Sequence, residues 1–147
     1  MIFLTVSVLA LSFPGCGKKE NTSDRTLRVG IVTYTQDDPF INTMTEQIRE
    51  DLKLKESKDM KILVSVKNGD NDQRDQDELV EEMIAAGCDV LCVNLVDRTA
   101  PSDIIKAARQ EKIPVIFFNR EPVKEDLMQW DQLYYVAVSY THLRAHE

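Results

Sequence analysis

The feature that most constrains this chain is a fourfold alternation of short apolar runs with stretches of helical period. Leu27 to Tyr34, Lys61 to Val66, Asp89 to Leu95 and Pro114 to Phe118 read as strands, and Tyr134 to Val136 begins a fifth. The run from Asp89 to Leu95 is apolar almost throughout, broken only by Asn94, and suits a parallel strand covered on both faces. Between the runs, apolar residues recur at helical spacing: Phe40, Ile41, Met44, Ile48 and Leu52, then Leu79, Val80, Met83 and Ile84, then Ile104, Ile105 and Ala108. The first helix is expected to end in the charged run near Glu56 to Asp59, and the second at Gly87. Pro101 is expected to open the third, and a short fourth is expected over 123–130. Strand and helix alternating through short joints predict an α/β fold, a doubly wound parallel sheet flanked by helices.

The joint after the first strand carries the most local information. Asp38 is placed as a helix N-cap and Pro39 as the first helical residue, where its fixed φ is already suitable. Asp37, Asp38 and Phe40 therefore sit at the mouth of a strand. Ligands of open α/β sheets bind outside the carboxyl ends of the strands. The other ends carry Asn68 and Asp70, Asn94 and Asp97, and Asn119, Arg120 and Glu121. Planar amides and carboxylates beside an aromatic are the chemistry that engages adjacent hydroxyls and the C–H face of a sugar. A plain structural role stands beside each: Asp38 as a cap, Phe40 as core, Asn94 as a turn residue.

The chain of 147 residues suits one ordinary domain, and its formal charge of -7 argues against a nucleic-acid partner. Residues 1–16 differ from the rest. Met1 to Phe13 is almost wholly apolar, too short to span a bilayer and fitting the core of a secretory signal, and Cys16 is followed by a polar tail. This resembles a bacterial lipoprotein signal, with Cys16 the lipidated residue and 17–26 a polar tether, and it implies an extracytoplasmic, lipid-anchored protein. Of the three cysteines, Cys88 and Cys92 are read as small buried side chains. The last ten residues, 138–147, break the pattern and read as the translation of a sequencing adapter. Both histidines, His142 and His146, lie there, so their metal-like spacing carries no weight. No phosphate loop, nucleophile–base pair or metal set marks an enzyme.

From Arg28 to Val136 the chain resembles the amino-terminal lobe of the D-galactose/D-glucose-binding proteins, sugar-capturing subunits of ABC importers in the periplasmic-binding-protein type I family. The matching pieces are Asp37 to Phe40, Asn71 to Gln73, Asn94 to Asp97 and Phe117 to Pro122, with Tyr134 to Val136 behind them. The resemblance implies a lobe over 27–137 with Asp38 and Asn94 as hydroxyl-binding groups and Phe40 stacked on the sugar ring. Asn119 ranks lower, with a role in loop geometry. It implies no cofactor here; the calcium site of many relatives belongs to the second lobe, which the chain lacks. It also implies partners: a monosaccharide, an ABC permease, and in some members a chemoreceptor. The alternatives are a sugar-sensing domain of a chemotaxis or kinase system, or a binder of another monosaccharide such as ribose.

Overall fold

The computed structural model describes residues 25–137. The expected signal with Cys16, the tether up to Asp24 and the tail with its histidines lie outside the described residues.

The elements run β1 (Arg25–Thr33), α1 (Pro39–Lys53), β2 (Met60–Asn68), α2 (Gln73–Ala85), β3 (Val90–Val93), α3 (Ser102–Glu111), β4 (Val115–Phe118), α4 (Lys124–Leu127) and β5 (Leu133–Val136). They build one five-stranded sheet in the order β2-β1-β3-β4-β5, every neighbouring pair parallel. The doubly wound parallel sheet read from the alternation is the observed fold.

Most differences from expectation are at element ends. Arg25 and Thr26, expected in the tether, already belong to β1, because they pair with Met60 and Lys61 across the β1–β2 ladder. The third strand is shorter than its apolar run: the ladder with β1 covers Val90–Val93, while Asp89 and Asn94 at its ends each donate one further backbone bond to β1. Helix α1 stops at Lys53, before the charged run, and Ser57 pairs with Met60 to turn the chain into β2. Pro101 is the N-cap of α3 rather than its first residue, and α4 is a single turn. Gly87 takes a φ of 78° just past α2, the left-handed conformation that glycine adopts without steric cost.

Side chains alternate across the sheet and split the core in two. On one face Val32, Leu91, Val93, Val115 and Phe117 pack beneath Val80 and Met83 of α2 and Ile104, Ile105 and Ala108 of α3. On the other, Val29, Ile31, Ile62 and Phe118 meet Met44, Ile48 and Leu52 of α1. Cys88 lies in the first cluster and Cys92 against the second, and both are free thiols. Burial pushes the Cys92 thiol up to about 11. Cys88 is buried as read, and Cys92 is part-buried against the core. Phe40, expected on the buried stripe of α1, is 42% exposed and stands outside the core. No helix among the described residues is long and apolar enough to cross a membrane.

Candidate functional site

Because all five strands are parallel, their carboxyl ends share one edge, and the loops there carry the residues singled out in the sequence. The β1 end is the most built. The backbone of Asp38 is extended (φ -89°, ψ 109°), and its Oδ1 accepts from the amides of Phe40 at 2.8 Å and Ile41 at 3.4 Å. Asp38 is thus the N-cap its position implied. Its Oδ2 accepts from the hydroxyl of Tyr34 at 2.6 Å. A carboxylate offers about four lone-pair positions. Three are taken, and the one that remains is on Oδ2.

Tyr34 is held in turn by Arg120, whose guanidinium carbon lies 3.7 Å from the ring centroid. Nη1 of Arg120 donates to the carbonyls of Leu95 at 3.2 Å and Val96 at 2.9 Å. The Tyr34 hydrogen bond, with smaller help from the two cap amides and the Arg120 charge, holds the Asp38 carboxyl below the usual carboxylate range. The same bond pushes the Tyr34 phenol up.

Asn94 sits one residue past β3 and is completely buried. Its Nδ2 donates to the Phe118 carbonyl at 3.0 Å, its backbone N–H donates to Val32, and its carbonyl accepts from Nε2 of Gln76 at 3.0 Å. Its Oδ1 has no hydrogen-bond partner among the described residues. The residue expected as an open ligand group is therefore walled in. The sheet order explains this: β3 lies between β1 and β4, and Arg120 reaches from beyond β4 to Tyr34 beyond β1.

Asn119 has a φ of 62°, its amide donates to Val136 at 3.2 Å, and its carbonyl accepts from the Tyr135 hydroxyl at 3.2 Å. These contacts run through its backbone where the chain leaves β4. Asp97 caps its own loop, with Oδ1 accepting from the amide and hydroxyl of Thr99, and these bonds lower its carboxyl. Arg98 donates to the carbonyl of Glu121 at 2.6 Å, tying the β3 loop to the β4 loop. Asn68 folds its Oδ1 back onto the amide of Asp70 at the end of β2. Gly69 fits there because a Cβ would stand 2.9 Å from the Thr33 carbonyl.

Two residues of this edge, Tyr34 and Gln76, were not singled out in the sequence, and Gln73 was noted only as part of a matching segment. Tyr34 was read only as the end of a strand, although it lies four residues before Asp38. Gln73 accepts from the Asp97 amide at 2.8 Å, and the fully buried Gln76 bonds Asn94 and Val96. The signal for Gln76 was available: it is a polar residue on the face of α2 that also carries Val80 and Met83. Among the described residues, no group of three or more His, Cys, Asp or Glu could hold a metal ion. A hollow of about 630 Å³ opens elsewhere, between α1 and the middle of β2, and no strand end reaches it.

The lobe is thus a parallel α/β unit that gathers a capped carboxylate, an exposed aromatic and amides at its carboxyl edge. The chain belongs to the periplasmic binding protein family: the model described as "Periplasmic binding protein domain" matches residues 29–141, more than half of its length. It is 33% identical over 110 residues to the D-galactose/methyl-galactoside binding periplasmic protein of Haemophilus influenzae, covering 75% of this chain and 32% of that protein. Over 125 residues it is 26% identical to the ribose import binding protein of Bacillus subtilis, covering 81% and 39%. It is similar in fold to an ABC transporter solute binding protein from Clostridium phytofermentans with bound β-D-glucose (TM-score 0.63, 23% identity, 76% of this chain and 32% of that one). A carbohydrate transporter solute binding protein from Chloroflexus aurantiacus in complex with D-glucose gives a TM-score of 0.60 at 28% identity, covering 77% and 31%. The chain thus spans about a third of the length of the relatives it matches.

Proposed function

We propose that this chain forms the first sugar-contacting lobe of an extracytoplasmic binding protein that captures D-galactose or D-glucose for an ABC importer. The observation that carries the reading is the single acceptor position left on Asp38, beside an exposed Phe40 at the mouth of β1. A sugar hydroxyl fills that position, and the aromatic face covers the C–H surface next to it. Asn94 supplies a second acceptor through its unpartnered Oδ1 when side chains over it shift to admit the ligand, the backbone of the loop after β3 staying in place, and Asn119 shapes the loop beside it. The galactose-binding relative at 33% identity and the glucose-bound structure at 28% support a hexose. The ribose relative is the more distant of the two binding proteins compared, at 26%, and ribose stands as the second reading.

The function is binding rather than turnover, in line with relatives named as binding proteins. In this reading Cys16 carries a lipid anchor, the permease is the partner, and a second lobe closes over the sugar by hinge motion. The 147-residue chain offers one face of the cleft and binds weakly, because water reaches the other face.

Calorimetry tests this. The chain alone is expected to give no tight galactose or glucose isotherm, and the full-length gene product a tight one. Asp38→Asn and Asn94→Ala in the full-length protein are expected to weaken it. Parental affinity in both variants sinks the site, and tight ribose binding with no hexose binding selects the second reading. Labelling with a radioactive fatty acid is expected to disappear in Cys16→Ser.

A further inference from the structure

We propose that Tyr34 is a positioning residue for Asp38, and that Arg120, by seating the Tyr34 ring, ties this carboxylate to the ends of β3 and β4. The effect on ligand rests on the sugar reading above; the geometry does not.

The helix cap alone fixes only half of the carboxylate. Phe40 and Ile41 bond Oδ1, which leaves the group able to rock about its last side-chain torsion and swing Oδ2. The Tyr34 hydroxyl at 2.6 Å removes that freedom. It also selects which lone pair stays open, and so sets the direction from which a hydroxyl must donate. Charge-assisted O–H···O⁻ bonds of this length are among the stronger ones available to side chains.

Tyr34 needs a hold of its own, since it is only partly buried and follows the end of β1. Arg120 supplies it by lying over the ring face at 3.7 Å while two backbone carbonyls of the β3 loop fix the guanidinium. A cation over a tyrosine face is attracted by the ring quadrupole. The linkage therefore runs from Leu95 and Val96 through Arg120 and Tyr34 to Asp38, across three strand ends. The titratable groups facing Asp38 are Tyr34 from its own loop and Arg120 from the β4 loop, and both favour its ionised form.

The test is carbon-detected NMR titration of the Asp38 carboxyl in the 147-residue chain. The parent is expected to titrate below the ordinary carboxylate range, and Tyr34→Phe to move that midpoint upward. The Phe40 and Ile41 amide shifts, which report the cap, should stay in place. Arg120→Gln is expected to move the Tyr34 ring shifts and part of the Asp38 titration. With galactose in large excess, the ligand-induced shifts at Asp38 and Phe40 should fall several-fold in Tyr34→Phe, and their acid limit should move to higher pH. A lowered melting temperature with an unmoved Asp38 midpoint would make Tyr34 merely structural and overturn the proposal. If Tyr34→Phe does not fold, a parent midpoint at or above the ordinary range overturns it by itself. Failure of the sugar reading shows separately, as identical galactose responses in the parent and Asp38→Asn, while a moved midpoint still upholds the positioning role.

Discussion

Replacing Gln76 by Met is the sharpest probe of what holds the ligand edge in place. The two side chains are close in volume, so the substitution leaves the packing of α2 nearly unchanged and deletes only the amide. In the parent, Nε2 donates to the Asn94 carbonyl at 3.0 Å and Oε1 accepts from the Val96 amide at 2.9 Å. The Asn94 bond is buried, so its carbonyl would be stranded away from water, at a cost of about 2 kcal/mol. The Val96 amide is only part-buried and water compensates some of the loss, so about 1 kcal/mol is assigned there. Together the loss is about 3 kcal/mol, a large share of the ~5–15 kcal/mol that holds an ordinary domain together. For a domain of this size that lowers the melting temperature by roughly 10–20 °C. Urea unfolding followed by the fluorescence of the only tryptophan, Trp130, which packs against the core, reads the change. Gln76→Glu should be worse than Gln76→Met at neutral pH, because a carboxylate oxygen then faces the Asn94 carbonyl, and should recover as acid protonates it. A Gln76→Met protein within about half a kcal/mol of the parent would show that these two bonds contribute little beyond what water supplies.

Other outcomes follow from the same structure. Asp38→Ala should lower both stability and the galactose response, whereas Asp38→Asn, which keeps a capping oxygen, should lower the response and largely spare the melting temperature. Asp38 and Asp97 both have carboxyls lowered on folding, so their contributions are present above the unfolded value, about 3.9, and are lost as pH falls through the folded values. Circular dichroism should therefore show stability dropping in that acid window, less steeply in a protein carrying Asp38→Asn and Asp97→Asn. Lys112 ends α3 with a φ of 59°, and Lys112→Gly should raise stability by up to about 1 kcal/mol in urea titrations. In a Cys16→Ser background, Cys88 and Cys92 should resist a thiol reagent at mildly alkaline pH until the protein unfolds. Rapid labelling of the native chain would contradict their burial and raised thiol values.

Where the sequence was legible, it was so for definite reasons. The period of apolar residues located α1, α2, α3 and the strands, because burial of one stripe or two faces leaves a repeating mark on the chain. Asp38 and Pro39 located the start of α1 because a cap and a first-turn proline act on their own neighbours. Strand ends were less legible: the ladder of β3 ends at Val93 although the apolar run goes on to Leu95, because from Asn94 onward the chain bonds to groups on α2 and at the end of β4 that lie far away in sequence. The site divided in the same way. Asp38 and Phe40 were candidates from the sequence because they lie in the short joint between β1 and α1. Tyr34, Gln76 and the stacking role of Arg120 were not, because each acts on a residue that the fold, and not the local sequence, brings near. The burial of Asn94 was hidden for the same reason, since nothing near it in the chain says that Arg120 crosses its strand end.

The loop after β3 has a further consequence. The carbonyls of Leu95 and Val96 and the amides of Val96 and Asp97 all bond to side chains from α2 or from beyond β4. Such a loop has little conformational entropy left to lose when a ligand docks, and few backbone groups with which to adapt to a different one. It acts as a fixed ruler. A sugar gains from it only by presenting hydroxyls at the spacing already set, so selectivity at this edge comes from the stereochemistry of the ligand and not from accommodation by the protein.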